Sequence, residues 1–237
     1  MTPITLTNQH LTRQADLIPS AVYNTPIHII GAGAIGSFTS LALAKSGFIN
    51  QTVWDFDEVS IENMSTQFYR HRDIGKPKVA ALFDLVHDFT NEPIGIRNLP
   101  FLSTIHAHYL SGIVIAAADC MKVREDILAA CRVNMRVTHL IDARMGAEVI
   151  AMYAGNPKDS EFVGDYQRSL YSNEEAVQER CTAKATMYTV QLVTGLIVKT
   201  VKNILCGNPY PRNVQWSVDK SENNMNAMAM TMYSTKQ

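Results

Sequence analysis

The chain has 237 residues, of which 46% are hydrophobic and 18% are charged, and its 21 Lys and Arg residues nearly balance its 22 Asp and Glu residues, for a net charge of -1. This composition is too hydrophobic for a disordered chain, and the near-zero charge offers no basic field for nucleic acid. The first 26 residues lack the apolar stretch of a secretion signal, and no apolar run approaches the roughly 18 residues of a membrane span. We therefore expect a globular, cytoplasmic protein with neither nucleic-acid nor membrane partners.

The cysteines and the lack of repeats limit the architecture. Cys120, Cys131, Cys181 and Cys206 form no CxxC pair, so neither structural zinc nor a disulfide scaffold is expected. No repeat of 20–50 residues occurs, which excludes a solenoid. The sequence predicts one domain over residues 1–237. Its parts include a polar N-terminal arm (1–26) and a polar crossover segment (155–180).

The first predicted element is a strand, followed by a tight turn and a helix. Ile27, His28, Ile29 and Ile30 form a short apolar run, three glycines follow, and apolar residues then recur at helical spacing up to Ala44. The next apolar run, residues 51–54, predicts a second strand that stops at an aspartate.

The remaining predicted elements alternate between strands and helices. Helices are predicted at 77–88, 123–134 and 187–205, and strands at 94–99, 112–118, 138–142, 147–153, 214–218 and 225–233. This alternation predicts right-handed crossovers and an α/β fold with a doubly wound, mostly parallel, Rossmann-like sheet. The last two strands lie close together in sequence, so we expect antiparallel closing strands near the C-terminus.

The glycine turn carries a nucleotide-binding pattern. Gly31, Gly33 and Gly36 fit GxGxxG between a strand and a helix, and Asp55 ends the next strand. The helix N-terminus offers N–H groups to phosphate, and Asp55 can accept hydrogen bonds from ribose hydroxyls. The pattern alone is shared by sites for NAD, FAD and ATP.

The residues after the second strand favour a triphosphate. A dehydrogenase usually needs only its ribose acid there, whereas this chain has a series of long polar and cationic side chains. No GxxxxGK[ST] motif occurs, which excludes the P-loop class. The residues in question are Asp57, Asn63, Gln67, Arg70 and Lys78.

Taken together, these motifs resemble the ThiF/MoeB-type adenylyltransferases, which share their fold with ubiquitin-activating enzymes. The resemblance covers about residues 11–205 and includes Gly75 and Lys78 as GxxK, and Asp119 with Arg124 after a buried strand. It implies an enzyme that binds ATP and magnesium and joins AMP to a carboxylate. The acceptor in such a family is usually the C-terminus of a small ubiquitin-like or sulfur-carrier protein.

The resemblance assigns roles to individual residues. Lys78 would stabilise charge on the α-phosphate, and Asp119 would hold magnesium. Asp55 would hold the ribose, and the three glycines would admit the phosphates. The expected cofactor-binding set is Gly31, Gly33, Gly36, Asp55, Asp57, Asn63, Gln67, Arg70 and Lys78.

Two further residues match family positions and are expected to be catalytic. Arg13 lies where relatives carry an arginine that reaches the ATP of the partner subunit, which implies a homodimer; the alternative is a solvated residue in an exposed arm. Cys181 lies where many relatives form a thioester or persulfide; the alternative is a small buried hydrophobic residue.

One departure from the family pattern keeps two other functions open. Thr66 occupies the position of the arginine that precedes Gln67 in the family. This change and the missing zinc motif favour a catalytically weak nucleotide-binding scaffold or heterodimer partner. An NAD(P)- or FAD-dependent oxidoreductase is favoured by the glycines and Asp55 alone, but it leaves Asn63, Gln67 and Lys78 unexplained.

Overall fold

The computed structural model describes residues 11–146, 148–170 and 186–217, and a seven-stranded sheet forms its centre. In space the strands follow the order β3-β2-β1-β4-β5-β6-β7. The first five in this order run parallel, β6 is antiparallel to β5, and β7 is antiparallel to β6. The predicted sheet, mostly parallel with antiparallel strands near the C-terminus, is confirmed. The strands are β1 (Ile27–Ile30), β2 (Gln51–Asp55), β3 (Gly95–Asn98), β4 (Gly112–Ala116), β5 (Val137–Gly146), β6 (Val149–Gly155) and β7 (Asn213–Ser217).

Helices cover both faces of the sheet, as a doubly wound fold requires. One apolar core lies between the sheet and α1, α2 and α6, and a second lies between the sheet and α4 and α5. Residues 225–233, for which a closing strand was predicted, lie outside the described residues. The helices are α1 (Ala34–Lys45), α2 (Lys78–Thr90), α3 (Ser103–His106), α4 (Met121–Val133), α5 (Ser160–Arg168) and α6 (Met187–Leu205).

The position of β1 at the centre of the parallel strands fixes where a ligand can bind. Its four residues are all buried, and it pairs with β2 on one side and β4 on the other. Because these strands are parallel, their carboxyl ends meet at one edge of the sheet. The glycine turn, Asp55 and Asp119 therefore lie at the same edge, where open α/β sheets bind ligands.

Helix α5 lies inside the segment predicted to be a polar crossover. The Asp159 carboxylate caps it by accepting a 3.0 Å hydrogen bond from the backbone N–H of Glu161. Phe162, Val163 and Tyr166 share its inner face and are buried in the second core. Three apolar residues in one short polar stretch give too weak a periodicity to predict a helix.

The described part of the N-terminal arm packs against the domain. Leu11 and Ile18 are buried in the first core, and the Gln14 side-chain amide donates a 3.3 Å hydrogen bond to the carbonyl of Lys45 at the end of α1. The arm is therefore fixed along part of its length.

Within residues 11–146, 148–170 and 186–217, no helix combines the length and hydropathy needed to cross a bilayer.

Candidate functional site

The glycine turn after β1 depends on close backbone contacts that only glycine allows. Gly31 has φ of 105°, and a Cβ there would lie 2.5 Å from the carbonyl oxygen of Ala117. A Cβ on Gly36 would overlap the carbonyl oxygen of Gly31, whereas a Cβ on Gly33 would have nothing within 4 Å. Gly31 and Gly36 thus shape the turn, and Gly33 leaves open space at the N-terminus of α1.

Asp55 holds this turn in place. One carboxylate oxygen accepts a 2.6 Å hydrogen bond from the N–H of Ala32, and the other accepts a 2.8 Å bond from the N–H of Asp57. Each oxygen keeps a second lone pair for a further donor. Asp55 therefore organises the turn from the position predicted to meet a ribose.

Tyr69 holds the turn from the other side, and the sequence analysis missed it. Its hydroxyl donates a 2.6 Å hydrogen bond to the carbonyl oxygen of Ala32. Burial raises the pKa of Tyr69, and the nearby carboxylates of Asp55 and Asp57 raise it further, so the hydroxyl stays protonated and donates. No short motif signals this contact, because its partners are 37 residues apart.

Lys78 and Asp57 form an ion pair in the region that follows β2. The ammonium nitrogen lies 2.8 Å from Asp57 Oδ2, and the lysine side chain is only 8% exposed. The backbone joins the same two residues, because the N–H of Lys78 donates to the carbonyl of Asp57 over 2.8 Å. Lys78, the first residue of α2, is thus held against Asp57, whose N–H donates to Asp55 beside the glycine turn.

The three remaining predicted phosphate ligands have other contacts. The side-chain oxygen of Asn63 accepts a 2.9 Å hydrogen bond from the N–H of Ser60 and caps a short 3-10 turn. The buried Oε1 of Gln67 has no hydrogen-bond partner among the described residues. Arg70 pairs with Asp73 at 2.8 Å and with Asp88 at 2.6 Å, which directs its guanidinium toward α2.

An apolar groove of about 550 Å³ lies next to this region. Phe38, Met64, Phe68 and Phe89 contribute to its walls, together with the side chain of Gln67. Arg70 and Asp88 also line it, but they pair with each other over 2.6 Å, so the rest of the lining offers a triphosphate mainly apolar surface.

Asp119 is exposed, three residues beyond the end of β4. The backbone just before it packs on the glycine turn, since a Cβ on Gly31 would lie 3.1 Å from the nitrogen of Ala118. Within the described part of the chain, no group of three or more His, Cys, Asp and Glu side chains is arranged to hold a metal ion. A magnesium ion at Asp119 would need ligands from the nucleotide.

Arg13, also predicted to be catalytic, is not brought to this edge. Arg13 is exposed, and its neighbour Gln14 contacts the carboxyl end of α1, about 18 Å of helix from the glycine turn. Cys181 lies outside the described residues.

A buried cluster near Asp119 was also missed. The Asp142 carboxylate near the middle of β5 pairs with both Arg124 and Arg144. Arg124 had been noted only as part of a motif. A charged residue at the end of the apolar run at 138–142 was the available sequence signal.

The chain matches a known protein family over most of its length. The model of the ThiF family matches residues 20–237, a span that includes the glycine turn, Lys78 and Asp119. The chain belongs to the ThiF family.

Curated ThiF relatives match over limited segments. The chain is 44% identical over 66 residues to the NEDD8-activating enzyme E1 catalytic subunit of Caenorhabditis elegans, covering 27% of this chain and 15% of that protein. It is 26% identical over 141 residues to the molybdopterin-synthase adenylyltransferase of Escherichia coli strain K12, covering 57% of this chain and 50% of that protein. The chain therefore spans half or less of the length of these relatives.

Solved structures share the ThiF fold over most of the chain. E. coli MccB with ATP superposes with a TM-score of 0.75 at 16% identity, covering 90% of this chain and 69% of that one. The E. coli tRNA N6-threonylcarbamoyladenosine dehydratase TcdA gives a TM-score of 0.66 at 17% identity, covering 84% and 95%. At these identities the likeness shows the fold.

Proposed function

We propose that this ThiF-family chain is an ATP- and magnesium-dependent adenylyltransferase that activates a carboxylate. The acceptor is the C-terminus of a small ubiquitin-like protein, a sulfur-carrier protein or a peptide. The observation that carries the proposal is the buried Lys78 side chain, held 2.8 Å from Asp57, whose N–H donates to the Asp55 carboxylate that also binds the glycine turn. An oxidoreductase has no evident use for a buried lysine there.

The chemistry follows from where these groups lie. Phosphate oxygens accept from the N–H groups at the start of α1, and Gly33 leaves them room. An acceptor carboxylate oxygen attacks the α-phosphorus, the bond from that phosphorus to the bridging oxygen breaks, and pyrophosphate leaves. Lys78 stabilises the charge that grows on the α-phosphate, while its bond to Asp57 keeps the ammonium in position. Asp55 holds the ribose, whereas Asn63 and Arg70, which were predicted to bind the triphosphate, are engaged by Ser60 and by Asp73 and Asp88.

Asp119 is the residue that fits magnesium. Magnesium prefers hard oxygen ligands and is commonly held by one or two carboxylates together with substrate phosphates. An exposed carboxylate near the glycine turn matches that requirement. The ion would neutralise phosphate charge at this edge of the sheet.

The proposal includes a homodimer and a second chemical step. Gln14, next to Arg13, contacts the end of α1 that is far from the glycine turn, which supports an Arg13 that acts on the ATP of a partner subunit. Cys181 accepts the acyl group from the adenylate as a thioester, with AMP as the leaving group. Mixing Arg13→Ala and Lys78→Ala subunits tests the first point, because one intact composite site per heterodimer should restore part of the activity.

One observation favours a second candidate, a nucleotide-binding scaffold. Thr66 replaces the family arginine, and both nearest substitutes pair with carboxylates: Arg70 with Asp73 and Asp88, and Arg72 with Asp88. If no other arginine reaches the phosphates, the site binds ATP but transfers AMP slowly.

Pyrophosphate exchange separates these functions. The protein is incubated with ATP, MgCl2, labelled pyrophosphate and synthetic peptides that end in Gly-Gly as the free acid or as the amide. Label entering ATP only with the free-acid peptides supports an adenylyltransferase, and Asp119→Ala should abolish it. ATP binding without exchange across the peptide panel supports the scaffold, and exchange with the amides would contradict carboxylate activation. Cys181→Ala should keep exchange and lose a thiol-sensitive adduct with the peptide.

A further inference from the structure

A buried carboxylate with two arginines lies beneath the Asp119 loop. Asp142 is 0% exposed, and the side chains of Arg124 and Arg144 are only 5% and 11% exposed. Asp142 Oδ2 accepts from Arg144 Nε over 2.7 Å, and Oδ1 pairs with Arg124. One carboxylate thus orients two guanidinium groups that point to different parts of the fold.

Arg124 connects Asp142 to the loop that carries Asp119. Its guanidinium donates to the carbonyl oxygen of Ala118, the residue immediately before Asp119. It also donates to the carbonyl oxygen of Ala143 in β5 over 3.3 Å. The loop is therefore tied to the sheet by a charged group that cannot lose its proton.

Arg144 connects Asp142 to the end of α5. It donates to the carbonyl oxygen of Ser169 over 2.7 Å and to its hydroxyl oxygen over 3.1 Å. Its guanidinium also lies over the rings of Tyr153 and Tyr166, with the central carbon 4.8 Å and 5.5 Å from their centroids. Ser169 is the C-cap residue of α5.

Stability alone is a weak reason for such a cluster. Desolvating a buried ion pair often costs as much as its Coulomb attraction returns, and well-packed apolar residues commonly replace it without loss. An apolar residue at 142 could not direct one guanidinium to Ala118 and another to Ser169. The contacts suit a cluster that fixes backbone positions.

We infer that Asp142 is a positioning residue that, through Arg124 and Arg144, fixes the backbone before Asp119 and the end of α5 relative to each other. This inference rests on the proposed function for its purpose, because Asp119 is the functional group that a fixed backbone would serve. Whether one carboxylate holds both segments can be tested without an activity assay.

Hydrogen exchange tests the inference directly, with Asp142→Asn compared against Asp73→Asn. Asp73 is a matched control, because it is also 0% exposed and pairs with two cations, Arg70 and Lys76, in another part of the fold. In Asp142→Asn, amides in segments 117–121 and 166–170 should exchange at least about tenfold faster. Asp73→Asn should leave both segments at the wild-type rate. Wild-type rates at both segments in Asp142→Asn, or equal acceleration by the two variants, would overturn the inference.

Nucleotide binding supplies a second readout. The dissociation constant of ATP is measured with MgCl2 and with EDTA for wild type, Asp142→Asn and Asp119→Asn. Asp142→Asn should lose most of the magnesium-dependent gain in affinity, as Asp119→Asn does, and keep its metal-free affinity within about twofold. An equal loss under both conditions would mean a general structural defect and would overturn the positioning role. If wild type shows no magnesium-dependent gain, the proposed metal role fails, and the exchange data alone decide the inference.

Charge-conserving variants keep the test decisive if Asp142→Asn does not fold. Lysine retains the charge of arginine but lacks its planar fork, so Arg124→Lys should speed exchange only in segment 117–121. Arg144→Lys should speed exchange only in segment 166–170. Acceleration of both segments by both variants, or of neither by either, would show that the two connections are not separate and would contradict the inference.

Discussion

The hydroxyl of Tyr69 donates a 2.6 Å hydrogen bond to the carbonyl oxygen of Ala32, the second residue of the glycine turn. This contact joins the segment after β2 to the loop after β1, and it uses a hydroxyl that burial keeps protonated. The turn is thus held by a neutral donor on its carbonyl side and by the Asp55 carboxylate on its N–H side.

Tyr69→Phe should destabilise the fold and weaken ATP binding. Removing the hydroxyl leaves the Ala32 carbonyl without this donor, which costs about 1–3 kcal/mol of unfolding free energy. Urea unfolding measures this cost, and ATP titration measures the effect on the turn. Tyr109→Phe is the control, because Tyr109 is exposed, and it should change the unfolding free energy by less than about 0.5 kcal/mol. Equal losses in the two variants would contradict the role of Tyr69.

Two glycine substitutions should separate stability from ligand access. Gly36→Ala places a methyl group on the carbonyl oxygen of Gly31, so it should destabilise the fold by several kcal/mol and lower the urea midpoint. A Cβ at residue 33 has no other atom within 4 Å, so Gly33→Ala should fold normally. Its methyl group nevertheless fills the space predicted for phosphate. We expect a loss of ATP affinity of at least about tenfold with little change in the urea midpoint. Unchanged ATP affinity in folded Gly33→Ala would place the phosphates elsewhere.

Lys78→Ala should lower turnover far more than ATP affinity. Charge on the α-phosphate grows mainly in the transition state, and a contact of this kind is worth about 3–4 kcal/mol, or at least about 100-fold in rate. Pyrophosphate exchange gives the rate, and titration gives the ATP affinity. Lys76→Ala is the control, because Lys76 is 43% exposed and pairs with Asp73 and Asp84 outside the site. A loss seen only as weaker ATP binding would make Lys78 a ground-state ligand.

His28 should make the fold sensitive to acid. Burial, together with the nearby positive charges of Arg136 and Arg97, lowers the pKa of His28 from 6.5 to about 4. The unfolded chain therefore binds a proton that the folded chain does not between these values, so stability falls as the pH drops through this window. The loss is about 3 kcal/mol when the pH reaches 4.

Urea unfolding at pH 7 and pH 4.5 checks this prediction. His28→Asn should remove much of the pH-dependent loss, even if it lowers stability at both pH values. His71→Asn, at an exposed histidine, should keep the wild-type pH dependence. The same pH dependence in His28→Asn and wild type would assign the acid sensitivity to other groups.

Apolar patterning predicted most of the fold. The strand Ile27–Ile30 and the helix Met187–Leu205 were predicted at their observed bounds, because each is a continuous or strongly periodic apolar run. Helix α5 was missed, since only three of its nine residues are buried and apolar. Local sequence patterns therefore predicted the elements with many buried apolar residues and missed the one with few.

The site was harder to predict because its organisation depends on contacts between distant residues. The motif placed Asp55 near a ribose, but it did not indicate that Asp55 also holds Ala32 over 2.6 Å. The sequence predicted that Arg70 would be available to bind phosphate, but in the folded chain its guanidinium lies 2.6 Å from Asp88. Sequence alone identifies candidate charges, whereas tertiary packing determines which of them are already paired.

The central place of β1 has a consequence for synthesis on the ribosome. On one side β1 pairs with β2, which follows soon after it, but on the other it pairs Ile27 with Ile113 and Ile29 with Ile115. A nascent chain that has not yet extruded β4 leaves an apolar central strand with an open edge, which can pair with other chains. We therefore expect chains truncated between α2 and β4 to aggregate and chains extended past β4 to gain solubility.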